Sequence, residues 1–297
     1  MSGTFPFKFI LIFILVFFAG DRLFAHIAGI AFKYSCLPGA KMYSGQDKAD
    51  ILVLGDSRSY RQLPAMSLEN GFKGRFKVSN LSLPGSSIEC MEARLLDYVD
   101  IYGLPKMVII ESTTSLESDN EAFKEQRCFM LYSKRIGRII RRDYPVLYYA
   151  GKVFNLFNYN CVTFLNALHK IVKSEPDLIL KGIIPEEKAK NMQKRAKSFY
   201  KITDNNKKAL KRIVELSRKK GFELRIILTP VLVRYSDYEQ WKRSLVEIIG
   251  KDVGLWEFVS NNSFERKHFV NYNHLNKSGV KILFELLEQK GFFKQGR

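Results

Sequence analysis

Short apolar runs without polar alternation set what this chain can fold into. Ile51-Leu-Val-Leu54 and Met107-Val-Ile-Ile110 are uninterrupted, and Phe76-Lys-Val-Ser-Asn-Leu81 and Leu224-Arg-Ile-Ile-Leu228 read similarly. Runs of this length suit strands covered on both faces. Between them the spacing turns helical. Ile88 to Tyr102 carries Met91, Leu95, Leu96 and Val99, and Thr203 to Lys220 carries Leu210, Ile213 and Val214. The second of these has Asp204 as a cap candidate and stops at Gly221. A helix, a glycine and then a buried strand signal a right-handed βαβ crossover. The expected fold is α/β: a three-layer sandwich with a mostly parallel, flavodoxin-like sheet. Residues 113–200 break the pattern. They mix rings such as Tyr132, Tyr148 and Tyr159 with Lys134, Arg138 and Arg141, and read as a helical insertion. A sharper reading makes this insertion a cap over the active-site face that leans on a membrane or a glycan.

The N-terminus constrains location. From Phe5 to Gly20 the chain is apolar apart from Lys8; Asp21-Arg22 follows, then a second apolar run from Leu23 to Phe32. Sixteen helical residues span about 24 Å, slightly short of a hydrocarbon core of roughly 30 Å. Tilt, local thinning and snorkelling by Lys8 close the gap. Lys8 and the α-amine favour a cytoplasmic N-terminus with the rest of the chain outside. The expected organisation is a single-pass anchor in the cytoplasmic membrane over 1–33, a linker over 34–48, and an extracytoplasmic α/β domain over 49–297. A cleaved signal peptide is the rival, because Leu23-Phe-Ala-His-Ile-Ala28 offers small residues at cleavage spacing.

Charge points the same way. Forty-eight basic against 30 acidic residues leave +18, and residues 181–220 hold 14 Lys/Arg against 4 Asp/Glu. Such a surface suits anionic partners. Outside the cytoplasm those are phospholipid or glycan, and no nucleic acid is expected. The four cysteines, Cys36, Cys90, Cys128 and Cys161, allow three full pairings, one bridge among the last three, or small buried thiols. No Cys-x-x-Cys or His-x-x-x-His spacing occurs, so neither a zinc site nor any cofactor is expected.

Chemistry concentrates after the first strand. Gly55-Asp56-Ser57 follows Ile51–Leu54, which puts a hydroxyl at the carboxyl end of the sheet, where open α/β folds bind ligands. A serine nucleophile needs a base, and the chain has four histidines. His26 belongs to the apolar segment and His169 to the insertion. Of His268 and His274, the latter lies in Asn271-Tyr-Asn-His274-Leu-Asn276, two residues before Asn276, which can cap a closing helix through Val280, Leu283, Phe284 and Leu287.

Together these residues resemble the SGNH/GDSL hydrolase superfamily over about residues 49–290. Gly55-Asp56-Ser57 looks like its nucleophile block. Asn80-Leu-Ser-Leu-Pro-Gly85 looks like its second block, with Gly85 as the oxyanion-hole glycine. Asn271-Tyr-Asn-His274 matches its Asp-x-x-His block, with Asn271 where the orienting Asp is expected. The third block, normally Gly-x-Asn-Asp, reads Glu111-Ser112-Thr113-Thr114, so Ser112 or Thr113 stands in for the missing asparagine donor. A membrane anchor with an outside domain resembles the bacterial envelope branch of O-acyltransferases and esterases. The resemblance implies two-step acyl transfer: Ser57 as nucleophile, His274 as general base, and an oxyanion hole of the Ser57 and Gly85 amides with a donor from Ser112 or Thr113. Implied partners are a cell-envelope glycan or ester substrate and a membrane-bound acyl donor. The alternative is a degenerate SGNH-like module that assembles with a membrane acyltransferase or polysaccharide-export partner, because Asn271 adds no charge to stabilise imidazolium.

Overall fold

The computed structural model describes residues 5–35, 37, 39–113, 120–172, 179–195, 202–233 and 236–294. Cys36 and Thr114 lie outside these. In chain order the elements are α1 (Phe5–Lys33), β1 (Ile51–Leu54), α2 (Ser57–Gln62), α3 (Ala65–Gly71), β2 (Val78–Asn80), α4 (Ile88–Tyr102) and β3 (Met107–Glu111). There follow α5 (Lys134–Asp143), α6 (Pro145–Val153), α7 (Val162–Val172), α8 (Glu186–Arg195), α9 (Asp204–Lys220), β4 (Glu223–Leu228), α10 (Tyr238–Ile249), β5 (Gly254–Glu257) and α11 (Lys277–Gln289). They divide into two compact units, one of residues 1–44 with 123–174, the other of 45–122 with 175–297.

The larger unit is the α/β part. Its five strands run in the order β2-β1-β3-β4-β5, and every neighbouring pair is parallel. Ile51, Val53, Met107, Ile109 and Ile227 share one face and bury against Leu68 and Phe72 near α3 and against Leu283 and Leu287 of α11. By the two-residue period of a strand, Leu52, Leu54, Val108, Ile110 and Ile226 face the other way, and all are fully buried. On that side α9 packs against β4 and beside both α4 and α10. Burial on both faces is why β1 and β3 read as uninterrupted apolar runs. The sheet is the expected flavodoxin-like one, and β1 and β3 flank the switch point where strand order reverses. Strand β5 carried no sequence signal: it is four residues at an edge, each half-buried. The cap of α9 is Thr203, whose hydroxyl accepts the Asn206 N–H, rather than Asp204, which sits in the first turn.

The smaller unit and the segments around it add three details that the sequence left open. First, both apolar runs lie on α1. It continues unbroken through Asp21-Arg22 to Lys33, 29 residues and about 43 Å. Its stretch from Phe7 to Lys33 is long and apolar enough to cross a membrane. Asp21 is tolerated because its carboxylate accepts the Asn155 and Leu156 N–H groups at 2.8 and 3.0 Å and pairs with Arg22 at 3.0 Å. Second, within the expected linker Leu37, Ala40 and Met42 are buried, and Lys41–Ser44 forms a 3₁₀ turn. Third, the insertion is divided. Residues 123–174 join α1, where Phe32 meets the Phe129 and Phe164 rings. Described residues after 178 belong to the α/β unit, where Ile184 donates to the Phe269 carbonyl and enters the core. Cys90, Cys128 and Cys161 are free thiols, so no bridge forms among these three.

Candidate active site

Ser57 opens α2 directly beyond the carboxyl end of β1. Gly55 is required there, since a Cβ would come within 2.3 Å of the Ser59 Cβ. Asp56 caps α2, its Oδ1 accepting the Arg58 N–H at 2.8 Å. The loop after β2 is stitched to the same turn. Asn80 donates its amide to the Ser59 and Leu63 carbonyls, the Ser59 and Ser82 hydroxyls lie 2.7 Å apart, and the Leu83 N–H donates to the Gly55 carbonyl. Gly85 follows in this loop with φ +72°, a left-handed turn that favours glycine.

His274 arrives from the segment before α11. The Val270 N–H donates to the His274 carbonyl, Phe269 bridges Leu275, and Asn276 caps α11 by accepting the Gly279 N–H. Gln62 on α2 donates to the Asn273 carbonyl at 2.9 Å, which fixes this segment against the helix that carries Ser57. Across 217 positions of sequence, His274 Nε2 lies 2.9 Å from Ser57 Oγ. Asn271 Oδ1 lies 3.0 Å from the other ring nitrogen, Nδ1. Both serine and histidine are half-buried. His268 has a structural place instead: it is buried, and its Nδ1 accepts the Glu265 N–H.

Burial lowers His274 from its ordinary 6.5 to about 4; the Asp56 carboxylate pulls it up, and Arg58 and Arg61 push it down. At neutral pH the ring is therefore uncharged and can accept a proton. Beneath the turn lies a buried ion cluster that sequence reasoning missed. Arg58 Nη2 reaches Asp56 Oδ2 at 3.2 Å and Glu111 Oε2 at 3.3 Å, and both Arg58 and Glu111 are fully buried. Burial raises the Glu111 carboxyl, and Asp56 adds to this, while Arg58 and the Thr113 and Thr229 hydroxyls oppose it. The available signal was a charged residue closing an otherwise apolar strand, Met107-Val-Ile-Ile-Glu111, with an arginine directly after Gly-Asp-Ser.

This cluster corrects one expectation. The Thr113 N–H and hydroxyl both donate to Glu111 Oε1, at 3.1 and 2.5 Å, and its Oγ1 accepts the Thr229 N–H. Thr113 is therefore committed to the strand end and has no donor left for an oxyanion. Ser112 differs. Its N–H donates to the Ile227 carbonyl, but its buried hydroxyl has no hydrogen-bond partner among the described residues. Because Leu54 pairs with Ile110, Gly55-Asp56-Ser57 and Glu111-Ser112-Thr113 leave the sheet side by side.

No protein-family model matches the chain, and no curated protein does. Among solved structures it is similar to a Bacteroides fragilis protein provisionally assigned as an acylhydrolase, at 10% identity over 82% of this chain and 88% of that one, with a TM-score of 0.40. It is also similar to a GDSL-like lipase from Bacteroides thetaiotaomicron, at 9% identity over 92% and 97% of the two chains, with a TM-score of 0.41. The site itself stands on its own distances.

Proposed function

We propose that the protein carries out serine-based acyl transfer or ester hydrolysis outside the cytoplasm, on a cell-envelope glycan, held to the membrane by α1. The observation that carries this reading is the 2.9 Å contact between Ser57 Oγ and His274 Nε2. Nucleophile and base are within hydrogen-bonding reach, and the base is oriented by a third group. In the proposed reaction His274 Nε2 takes the Ser57 proton as Oγ attacks the acyl carbonyl, and an oxyanion forms. The Ser57 and Gly85 amides and the Ser112 hydroxyl are its proposed donors. The intermediate collapses, and the leaving alcohol takes the proton from His274. A glycan hydroxyl or water, deprotonated by His274, then attacks the acyl-enzyme, and His274 returns that proton to Ser57 Oγ as it leaves. Anchoring favours transfer over hydrolysis, because a membrane-bound donor can then deliver the acyl group.

The test is turnover of a chromogenic acetyl ester by the full chain in detergent, with and without a glycan acceptor. Ser57→Ala is expected to lose at least about 10³-fold in rate, and acceptor is expected to divert acetyl from water to sugar. Wild type no faster than Ser57→Ala sinks the reading. One observation favours a second reading, a non-catalytic assembly module: the residue facing His274 Nδ1 is an uncharged amide. Full biological activity in Ser57→Ala would select it.

A further inference from the structure

The α1 unit holds an arrangement that acyl chemistry does not use. In its first half α1 exposes apolar side chains all round, Phe13 at 70% among them. In its second half one face stays apolar and exposed, through Leu23, Ile27 and Ile30. The opposite face is covered by the segment running from the end of α6 to α7. Phe154 stacks on Phe18 with centroids 5.7 Å apart, Asp21 accepts the Asn155 and Leu156 N–H groups, and Phe32 meets Phe164 at 6.4 Å. The covering segment therefore lies at the level of α1 residues 18–32.

A cover built for water would turn mainly polar side chains outward. This one exposes large apolar side chains alongside Lys152, Asn166 and His169. On α6, Val146, Tyr149 and Val153 recur at helical spacing with exposures of 79%, 54% and 47%. On α7, Val162, Leu165 and Ile171 are exposed by 55%, 62% and 50%, while Phe164 and Ala167 face inward. Apolar surface of this extent marks an interaction site. Two further observations name the occupant. From Phe154 to Phe164 the patch runs along α1 residues 18–32, beside the exposed apolar Leu23, Ile27 and Ile30, and α6 leads directly into it. Beside α6, α5 exposes Lys134 and Arg138, and Lys152 sits 5.5 Å over the Tyr148 ring. Basic groups and rings next to an apolar face suit an anionic headgroup layer. The Asp21 charge is already met by two amides and Arg22, so it can lie at that depth.

We propose that α6, the 155–159 turn and α7 form a collar seated in the leaflet farther from the N-terminus. Acyl chains cover Val146, Leu165 and Ile171, and anionic headgroups meet Lys134 and Arg138. The proposal rests on α1 crossing the bilayer, and the experiment separates the two.

The full chain is reconstituted in phosphatidylcholine–phosphatidylglycerol vesicles with or without bromine on the acyl chains. Tryptophan is placed at Phe13 (α1), Leu165 (α7), Val146 (α6) or the exposed Val246 (α10), and wild-type emission from Trp241 and Trp256 is subtracted. Phe13→Trp, Leu165→Trp and Val146→Trp are expected to emit to the blue and lose intensity with brominated lipid, while Val246→Trp is unchanged. Quenching at Phe13 without quenching at Leu165 and Val146 overturns the collar and leaves the anchor standing. Blue emission from Leu165→Trp that bromine does not quench also overturns it, because protein then covers the patch. Quenching at none of the positions overturns the anchor and the collar together. Equal quenching at Val246, or quenching at the collar positions without Phe13, overturns the shared level on which the proposal depends.

Discussion

Asn271 Oδ1 sits 3.0 Å from His274 Nδ1 while accepting the backbone N–H groups of Asn273 and His274 at 3.1 and 2.9 Å. Two backbone donors aimed at one atom identify it as the amide oxygen, since an NH₂ would repel them. The ring nitrogen facing that oxygen must then carry a proton. Nδ1–H donates to Asn271, which leaves the Nε2 lone pair free toward Ser57 Oγ. An amide thus selects the tautomer that a general base needs. What it does not supply is negative charge for the imidazolium.

Asn271→Asp tests that division. The carboxylate can accept the same three N–H groups, so geometry is kept, and its charge favours the protonated ring. The His274 pKa is expected to climb from about 4 toward its ordinary value. Ester turnover at neutral pH is expected to rise by about tenfold, the effect of one pKa unit of added imidazolium stabilisation. Unchanged turnover with a raised histidine pKa, read by NMR titration, would show that charge is not what limits the site.

The wild-type pH profile follows from the same ring. The proposed base, His274, can accept a proton only when unprotonated, so kcat/KM is expected to rise with pH through about 4 and to be flat across neutrality. A limb near 6.5 contradicts the burial of the ring. Stability follows with a definite sign. The unfolded chain takes up this proton near the ordinary value and the folded chain only near 4, so the contribution is whole above about 6.5 and lost as pH falls toward 4.

Ser112 and Thr113 are expected to separate. Ser112→Ala removes a hydroxyl that has no hydrogen-bond partner among the described residues, so urea unfolding should shift by less than about 1 kcal/mol while kcat falls about 10²-fold or more. Thr113→Val removes the hydroxyl that joins Glu111 to the Thr229 N–H, and should cost about 1–3 kcal/mol. Equal kcat in Ser112→Ala and wild type removes Ser112 from the proposed oxyanion hole.

The buried cluster predicts a second contrast. Arg58→Leu leaves the Asp56 and Glu111 carboxyls without their shared cation and is expected to cost about 3–5 kcal/mol. Glu111→Gln should cost less. Its amide oxygen can still accept from Thr113 and Thr229, and the Glu111 carboxyl is already pushed toward its neutral form by burial. Denaturation midpoints of the two variants decide the ranking.

Much of the α/β unit was legible in the sequence because burial on both faces of a strand writes itself as an unbroken apolar run. Ile51–Leu54 and Met107–Ile110 are such runs, and α4 was bounded as the apolar spacing indicated. β5 was not legible, since a half-buried edge strand of four residues imposes no pattern. Arg58 and Glu111 were equally hidden. A charged residue in sequence looks solvated until the tertiary structure brings its counter-charge to it.

The sequence by itself determined the alternation of strands and helices, the hydroxyl after β1, the histidine two residues before the α11 cap, and an N-terminal helix apolar enough for a membrane. These depend on neighbours within a few positions, where periodicity and capping act. Only the tertiary structure decided that Ser57 and His274 meet, that Thr113 is spent on Glu111, and that half the insertion joins α1. Ser57 and His274 are 217 positions apart and meet because a parallel sheet gathers the carboxyl ends of its strands on one edge. Thr113 is a near neighbour of Glu111, but the Thr229 N–H that completes its bonding comes from 116 positions away. Residues 123–174 reach α1 from a distant part of the chain.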